Sequence, residues 1–188
     1  RWGNRVPQLS FEVTRGVKGA ASLAENVQAV ALIPGTGEYA LATRQVSIDL
    51  GLGETRILNR NTPMGGTDFQ VSLATLGREL PKVGSVSLVV SWFGDDLRAG
   101  HCTVRPKVEQ TEQDGAGMAW RAGGIGRAAA GVIARRDGRS IYGGTPADES
   151  VVQAIRAVRA SGKAAVFYPF ILMEQMEGNG RPDPWSDA

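Results

Sequence analysis

Trp92, Asp95 and Asp96 follow directly on the apolar run Val86–Val90. An aromatic ring beside two carboxylates is what a sugar needs, a flat apolar face to stack on and acceptors for its hydroxyls. Ligands of barrels and open α/β sheets bind outside the carboxyl ends of the strands, which is where these residues fall. The same three residues equally suit a structural role, with Trp92 packed under a loop and either aspartate capping a turn. A second set belongs to the later apolar run Ala164–Leu172, where Tyr168-Pro169-Phe170 lies near the end and Glu174 and Glu177 stand just beyond. Glycosidases use paired carboxyl groups, one as proton donor and one as nucleophile or base. Asp95, Asp96 and Glu174 are therefore the catalytic candidates, and Trp92, Asp95, Asp96 and Tyr168 the glycan-binding ones. Two acids three residues apart, as Glu174 and Glu177 are, also fit a solvated loop.

Other chemistries find less support. His101 and Cys102 are the only histidine and the only cysteine in the chain. A zinc site needs three or four ligands, so a metal site would need carboxylates from elsewhere and none is expected, and a Ser-His-Asp or Cys-His constellation would have to use His101 itself. A single cysteine also rules out an internal disulfide. Gly124-Ile125-Gly126-Arg127-Ala128-Ala129 fits the spacing of the dinucleotide fingerprint, but that motif works only between a buried strand and a helix, and Asp114–Ala122 does not read as a strand. No cofactor is expected. The net charge of +2 is too small for a nucleic-acid surface, and Arg135-Arg136 reads as a solvated loop. No apolar run approaches the roughly 18 residues of a membrane span.

The elements that must position these residues follow from periodicity. The chain has 188 residues, 42% of them hydrophobic and 25 of them glycine, a composition for one domain with many turns. Pro7–Val13 alternates apolar and polar and reads as a strand, as does Gln45–Leu50. Leu23, Val27, Val30 and Ala31 recur at helical spacing behind Ser22, with Pro34-Gly35 as the stop. Thr67 is placed to cap a helix whose face is Phe69, Leu73, Leu76 and Leu80, ended by Pro81. Val86–Val90 and Ala164–Leu172 read as strands buried on both faces. Thr145-Pro146 reads as N-cap and first turn of a helix with Val151, Val152, Ile155 and Val158 inward and Gly162 as its stop. Gly94–Gly144 is long, glycine-rich and weakly periodic, with Ala128–Ala134 as a short helix or a weak strand. The order of helix and strand in the second half predicts an α/β fold with parallel strands. The chain starts at Arg1 and has no methionine before Met64, and its last residues read as loop, so it is expected to be a piece of a longer polypeptide.

Several runs resemble one family. Ser91-Trp92-Phe93-Gly94-Asp95-Asp96-Leu97-Arg98, then Val104-Arg105-Pro106 and Val108-Glu109, are similar to the start of the glycosidase-like TIM-barrel domain of gene transfer agent and phage tail proteins. Tyr142–Asp148 (YGGTPAD) and Phe167–Met173 (FYPFILM) resemble two further blocks of it, and Leu32–Tyr39 (LIPGTGEY) the stretch that leads into it. Arg1–Val13 resembles the tail of a preceding phage hub domain. The resemblance implies a hub-domain end and connector over residues 1–37 and the N-terminal part of an incomplete (β/α)8 barrel over residues 38–188, since a whole barrel takes about 250 residues. It implies a baseplate or host specificity protein, made in the bacterial cytoplasm and assembled into the tip of a phage-like tail. The implied partners are hub and distal tail proteins, further copies in a homotrimer, and host envelope glycan. The barrel would either bind glycan or cut it as a cell-wall glycosidase, and the isolated chain is expected to be catalytically silent. The family often has a second cysteine in the loop after Asp-Leu-Arg. Here that loop reads Ala99-Gly100-His101-Cys102, so no paired-cysteine role carries over.

Overall fold

The computed structural model describes residues 22–174, 176 and 179–182. The expected strand Pro7–Val13, the hub-like run Arg1–Val13 and Glu177 lie outside the described residues. In chain order the elements begin with α1 (Leu23–Asn26), β1 (Ala29–Leu32), the pair β2 (Ser47–Gly51) and β3 (Glu54–Ile57), α2 (Asp68–Glu79) and β4 (Ser85–Gly94). Short strands follow: β5 (Val104–Arg105), β6 (Lys107–Val108), β7 (Arg121–Ala122), β8 (Ile125–Gly126), β9 (Gly131–Val132), β10 (Arg135–Arg136) and β11 (Arg139–Ser140). The 3-10 turn Arg127–Ala129 lies between β8 and β9, and α3 (Asp148–Ala160) and β12 (Ala164–Met173) come last.

β4 organises the molecule. It pairs in parallel with β1 on one side and with β12 on the other, and its carboxyl end also pairs antiparallel with β5. Successive side chains of a strand point to opposite faces. Val86, Leu88 and Val90 are buried on one face against Phe69 and Leu76 of α2 and Val151, Ala154 and Val158 of α3. Burying side chains of this size stabilises by about 1.5–3 kcal/mol each. α2 begins where the sequence places it, because the Thr67 hydroxyl accepts from Gln70 N while the Gln70 side chain accepts from Thr67 N, a capping box that satisfies two otherwise orphaned amides.

β12 is an outer strand. Ala164 N donates to Gly84 O at 2.7 Å and Glu174 N to Gly94 O at 3.0 Å. In a parallel ladder alternate residues bond to the same neighbour, so the even-numbered residues of β12 face β4 and the odd-numbered ones face the open edge. Pro169 therefore sits where its missing N–H costs no ladder bond. Phe167, Tyr168 and Ile171 are about half exposed.

The structure corrects the fold expected from the sequence. An α/β chain with an incomplete (β/α)8 barrel is not what forms. Among the described residues the largest sheet has only three parallel strands, β1, β4 and β12, with β5 antiparallel at the end of β4, the remaining strands form two-stranded sheets, and there are three α-helices, one of four residues. The cause lies in the glycine-rich stretch after β4. Gly117, Gly123, Gly124 and Gly138 all take positive φ, and each reverses the chain before a helix or a long strand can grow. The seven strands β5 to β11 are two residues long. β6, β7 and β8 give Val108, Ala122 and Ile125 to a second small core with Tyr39, Val46, Met118 and Trp120, and Trp120 Nε1 donates to Thr145 O at 2.8 Å.

Three local expectations also change. The helix expected over Leu23–Ala31 stops at Asn26, and Ala29–Leu32 becomes β1, because pairing with β4 outweighs the helical spacing. β12 is not buried on both faces: most of its side chains are exposed, and among the described residues β4 is its only strand partner. Thr145 does not cap α3. Ala147 holds the N-cap position, and the fully buried Thr145 accepts from Lys107 N through its hydroxyl at 3.1 Å.

Candidate functional site

A cleft of about 550 Å³ opens beyond the carboxyl end of β4. Phe93 and Asp95 come from β4 and the residue after it, Thr103, Arg105 and Lys107 from the segment through β5 and β6, and Gly123 and Ile125 from the β7–β8 turn. Strand pairing fixes this geometry, since Phe93 is in register with Arg105 and Gly94 with Val104. The antiparallel return thus hangs Arg105 and Lys107 beside the strand end.

The carboxylates gathered here are already engaged. Asp95 Oδ1 accepts from Thr103 N at 2.7 Å, and Arg181 lies 3.4 Å from Oδ2 while also donating to the Asp95 carbonyl. The Thr103 amide, helped by Arg181, holds the Asp95 carboxyl below the usual carboxylate range. Asp96 points away from solvent and takes the Arg98 guanidinium as a fork, Nε to Oδ1 at 3.0 Å and NH2 to Oδ2 at 2.8 Å, with Arg98 N adding a third bond at 2.9 Å. Those bonds hold its carboxyl well below the usual range. Glu174 follows β12 directly and stands beside Asp95 in the continued register. Its side chain is 7% exposed, bonded to Lys107 Nζ through Oε2 and to Ala134 N through Oε1 at 2.8 Å.

The aromatic candidates are not brought together. Tyr168 is in register with Val89, three residues from Trp92 along β4, and an odd offset places the two on opposite faces of the sheet. Trp92 packs partly buried against the α2–α3 layer, and its ring lies so close to Gly123 that a Cβ there would sit 2.5 Å from Cη2. Tyr168 stacks on Phe170 with centroids 6.3 Å apart on the outer strand, short of the strand end. Trp92 therefore plays the packing part of its two expected roles. Asp96 braces the turn that follows β4, and Asp95 is the carboxylate that faces the cleft.

Thr103, Arg105 and Lys107 were not singled out from the sequence. The only local signal was the Arg105-Pro106-Lys107 run, and nothing nearby marked Glu174, 67 residues on, as the partner of Lys107. A second cluster also went unseen. Arg127, 5% exposed, forks onto both oxygens of Glu38, donates to Asp114 at 2.9 Å, to the Tyr39 hydroxyl at 3.0 Å and to Gln110 O at 2.7 Å, and lies over the Trp120 ring at 5.9 Å. Burial pushes the Glu38 carboxyl up against the pull of Arg127. Burial also works against the Arg127 charge, but the hydrogen bonds to Glu38 and Asp114 outweigh it and hold that guanidinium above its ordinary range. Arg127 lies within the Gly124–Ala129 run, whose flanks are a two-residue strand pair and a three-residue 3-10 turn rather than a buried strand and a helix.

Among the described residues no group of three His, Cys, Asp or Glu side chains converges as a metal site, and no helix is long and apolar enough to cross a membrane. No protein-family model matches the chain, and no curated protein sequence matches it.

Proposed function

We propose that this chain is part of a baseplate protein of a phage-like tail or gene transfer agent, and that its cleft beyond β4 contacts host envelope glycan without cutting it. The observation that carries the glycan reading is the cleft itself, an opening of sugar size with an apolar wall at Phe93 and Ile125 and the acceptor Asp95. The baseplate reading rests on the resemblance of Ser91–Arg98 and Val104–Pro106 to tail-protein blocks, and these two runs supply Phe93, Asp95, Arg105 and Pro106 to the cleft wall.

Binding is favoured over cleavage by the state of the carboxylates. A glycosidase needs one carboxyl group that still carries its proton near neutral pH. Asp95 and Asp96 are both held below their ordinary range, and Glu174 is closed off by Lys107 and the Ala134 amide. The test is titration of the chain with soluble peptidoglycan fragments and surface oligosaccharides, followed by amide chemical shifts, alongside a reducing-end assay on whole peptidoglycan. The expected result is saturable shifts at Asp95, Thr103 and Gly123, weakened about tenfold in Asp95→Ala, with no reducing ends released. Absence of binding by every glycan overturns the reading. Reducing ends that Asp95→Ala abolishes make the chain a cell-wall glycosidase instead.

A further inference from the structure

Three charged side chains line the cleft, Asp95, Arg105 and Lys107. Two have their charge answered within the protein: Asp95 by the Thr103 amide and Arg181, and Lys107 by Glu174. Arg105 is exposed and has no hydrogen bond or ion pair among the described residues. Its backbone is nevertheless fixed, because β5 is paired to the end of β4 opposite Phe93. A guanidinium held on a rigid strand at the mouth of a cleft offers five donors in a planar fork that matches an oxyanion in two-point contact. The wall also holds the apolar Phe93, Ile125 and Ala129, and its carboxylate, Asp95, is already bonded to the Thr103 amide and Arg181.

We infer that the cleft selects an acidic saccharide, with Arg105 taking the carboxylate or phosphate of the sugar and Asp95 accepting from its hydroxyls. This rests on the glycan reading above and names the class of glycan. Arg105 sets the preference among sugars and does not hold the fold, because among the described residues its side chain has no partner whose loss would unbalance a buried group.

The test compares three soluble probes by calorimetry at low and moderate salt: trigalacturonate, the same trisaccharide with its carboxyl groups reduced to hydroxymethyl, and a phosphorylated trisaccharide of that neutral backbone. The unmodified chain is expected to bind at least one acidic probe about tenfold more tightly than the neutral one, with the margin shrinking as salt rises. Carboxylate and phosphate as the source of the charge are told apart by which acidic probe gains. In Arg105→Gln the margin between acidic and neutral probes is expected to vanish while the thermal transition stays as it was. Equal binding of acidic and neutral probes, or a margin that survives in Arg105→Gln, overturns the inference and leaves the glycan reading standing. No binding of any probe or of the peptidoglycan fragments removes both.

Discussion

The molecule holds two charged clusters built from the same residue types, and solvent access separates them. In the first, Arg127 and Glu38 are 5% and 6% exposed, and every guanidinium nitrogen of Arg127 has a partner. In the second, at the end of β4, the Lys107 side chain is 22% exposed and those of Arg181 and Asp95 about 40%. The sealed cluster ties Glu38 and Tyr39 to the Gln110–Asp114 loop and the 3-10 turn, so it holds the small hairpins in place. The open one leaves the Arg105 side chain without a partner among the described residues and Asp95 facing a cavity. The Arg127–Glu38 pair, satisfied out of water although Asp114 beside it is 42% exposed, makes a brace, whereas charges partly in water with one group left over make a surface that can recognise something. The two clusters share one segment, since Lys107 and Gln110 are three residues apart in the chain.

Breaking the sealed cluster is expected to have the largest effect. Arg127→Met leaves the Glu38 carboxylate buried without its cation and is expected to cost about 3–5 kcal/mol, read by urea denaturation. The double variant Glu38→Leu with Arg127→Met should recover part of that loss, because no unpaired charge remains. If Arg127→Met cost under about 1 kcal/mol, the cluster would not be the brace described. At the open cluster the corresponding change, Lys107→Met, leaves Glu174 with only the Ala134 amide. Its cost is expected to be smaller, about 1–3 kcal/mol, because Lys107 is already partly solvated. A cost equal to that of Arg127→Met would erase the distinction between the two regions.

The smallest expected effect is a pH dependence confined to the strand-end loop. Asp95 and Asp96 have folded values below the ordinary 3.8. The unfolded chain therefore binds their protons first as pH falls, so their contribution is complete above about pH 4 and is lost as pH drops below it towards their folded values. Protection factors of the Arg98 and Thr103 amides, which bond to these carboxylates, should be high at pH 5 and fall as pH drops towards the folded values of the two carboxyl groups. Asp96→Asn should bring loss of protection at Arg98 already at pH 5. Unchanged exchange there would mean that the turn is held by its backbone alone.

Parts of this were legible in the sequence because they are local. The capping box of α2 spans four residues, its inward face repeats every three or four, and the β-branched run of β4 carries its own strand preference. The position of Asp95 at a strand end was legible for the same reason. Helical spacing over Leu23–Ala31 misled because a four-residue segment beside β4 gains more from the sheet than from a helix of its own. The apolar run of β12 cannot say how many neighbours will cover it, so an outer strand read as a buried one.

By itself the sequence determined the capped helix α2, the inward face of α3 and the strands β4 and β12, and which residue types stand at the end of β4. Only the tertiary structure decided that the three parallel strands stay an open sheet, that Trp92 and Tyr168 part to opposite faces, and that Glu174 is taken by Lys107 and Glu38 by Arg127. Those pairings span 67 and 89 residues of chain. The free energy of a charge depends on its partner and its distance from water, and neither is a property of the residue or of its neighbours in sequence.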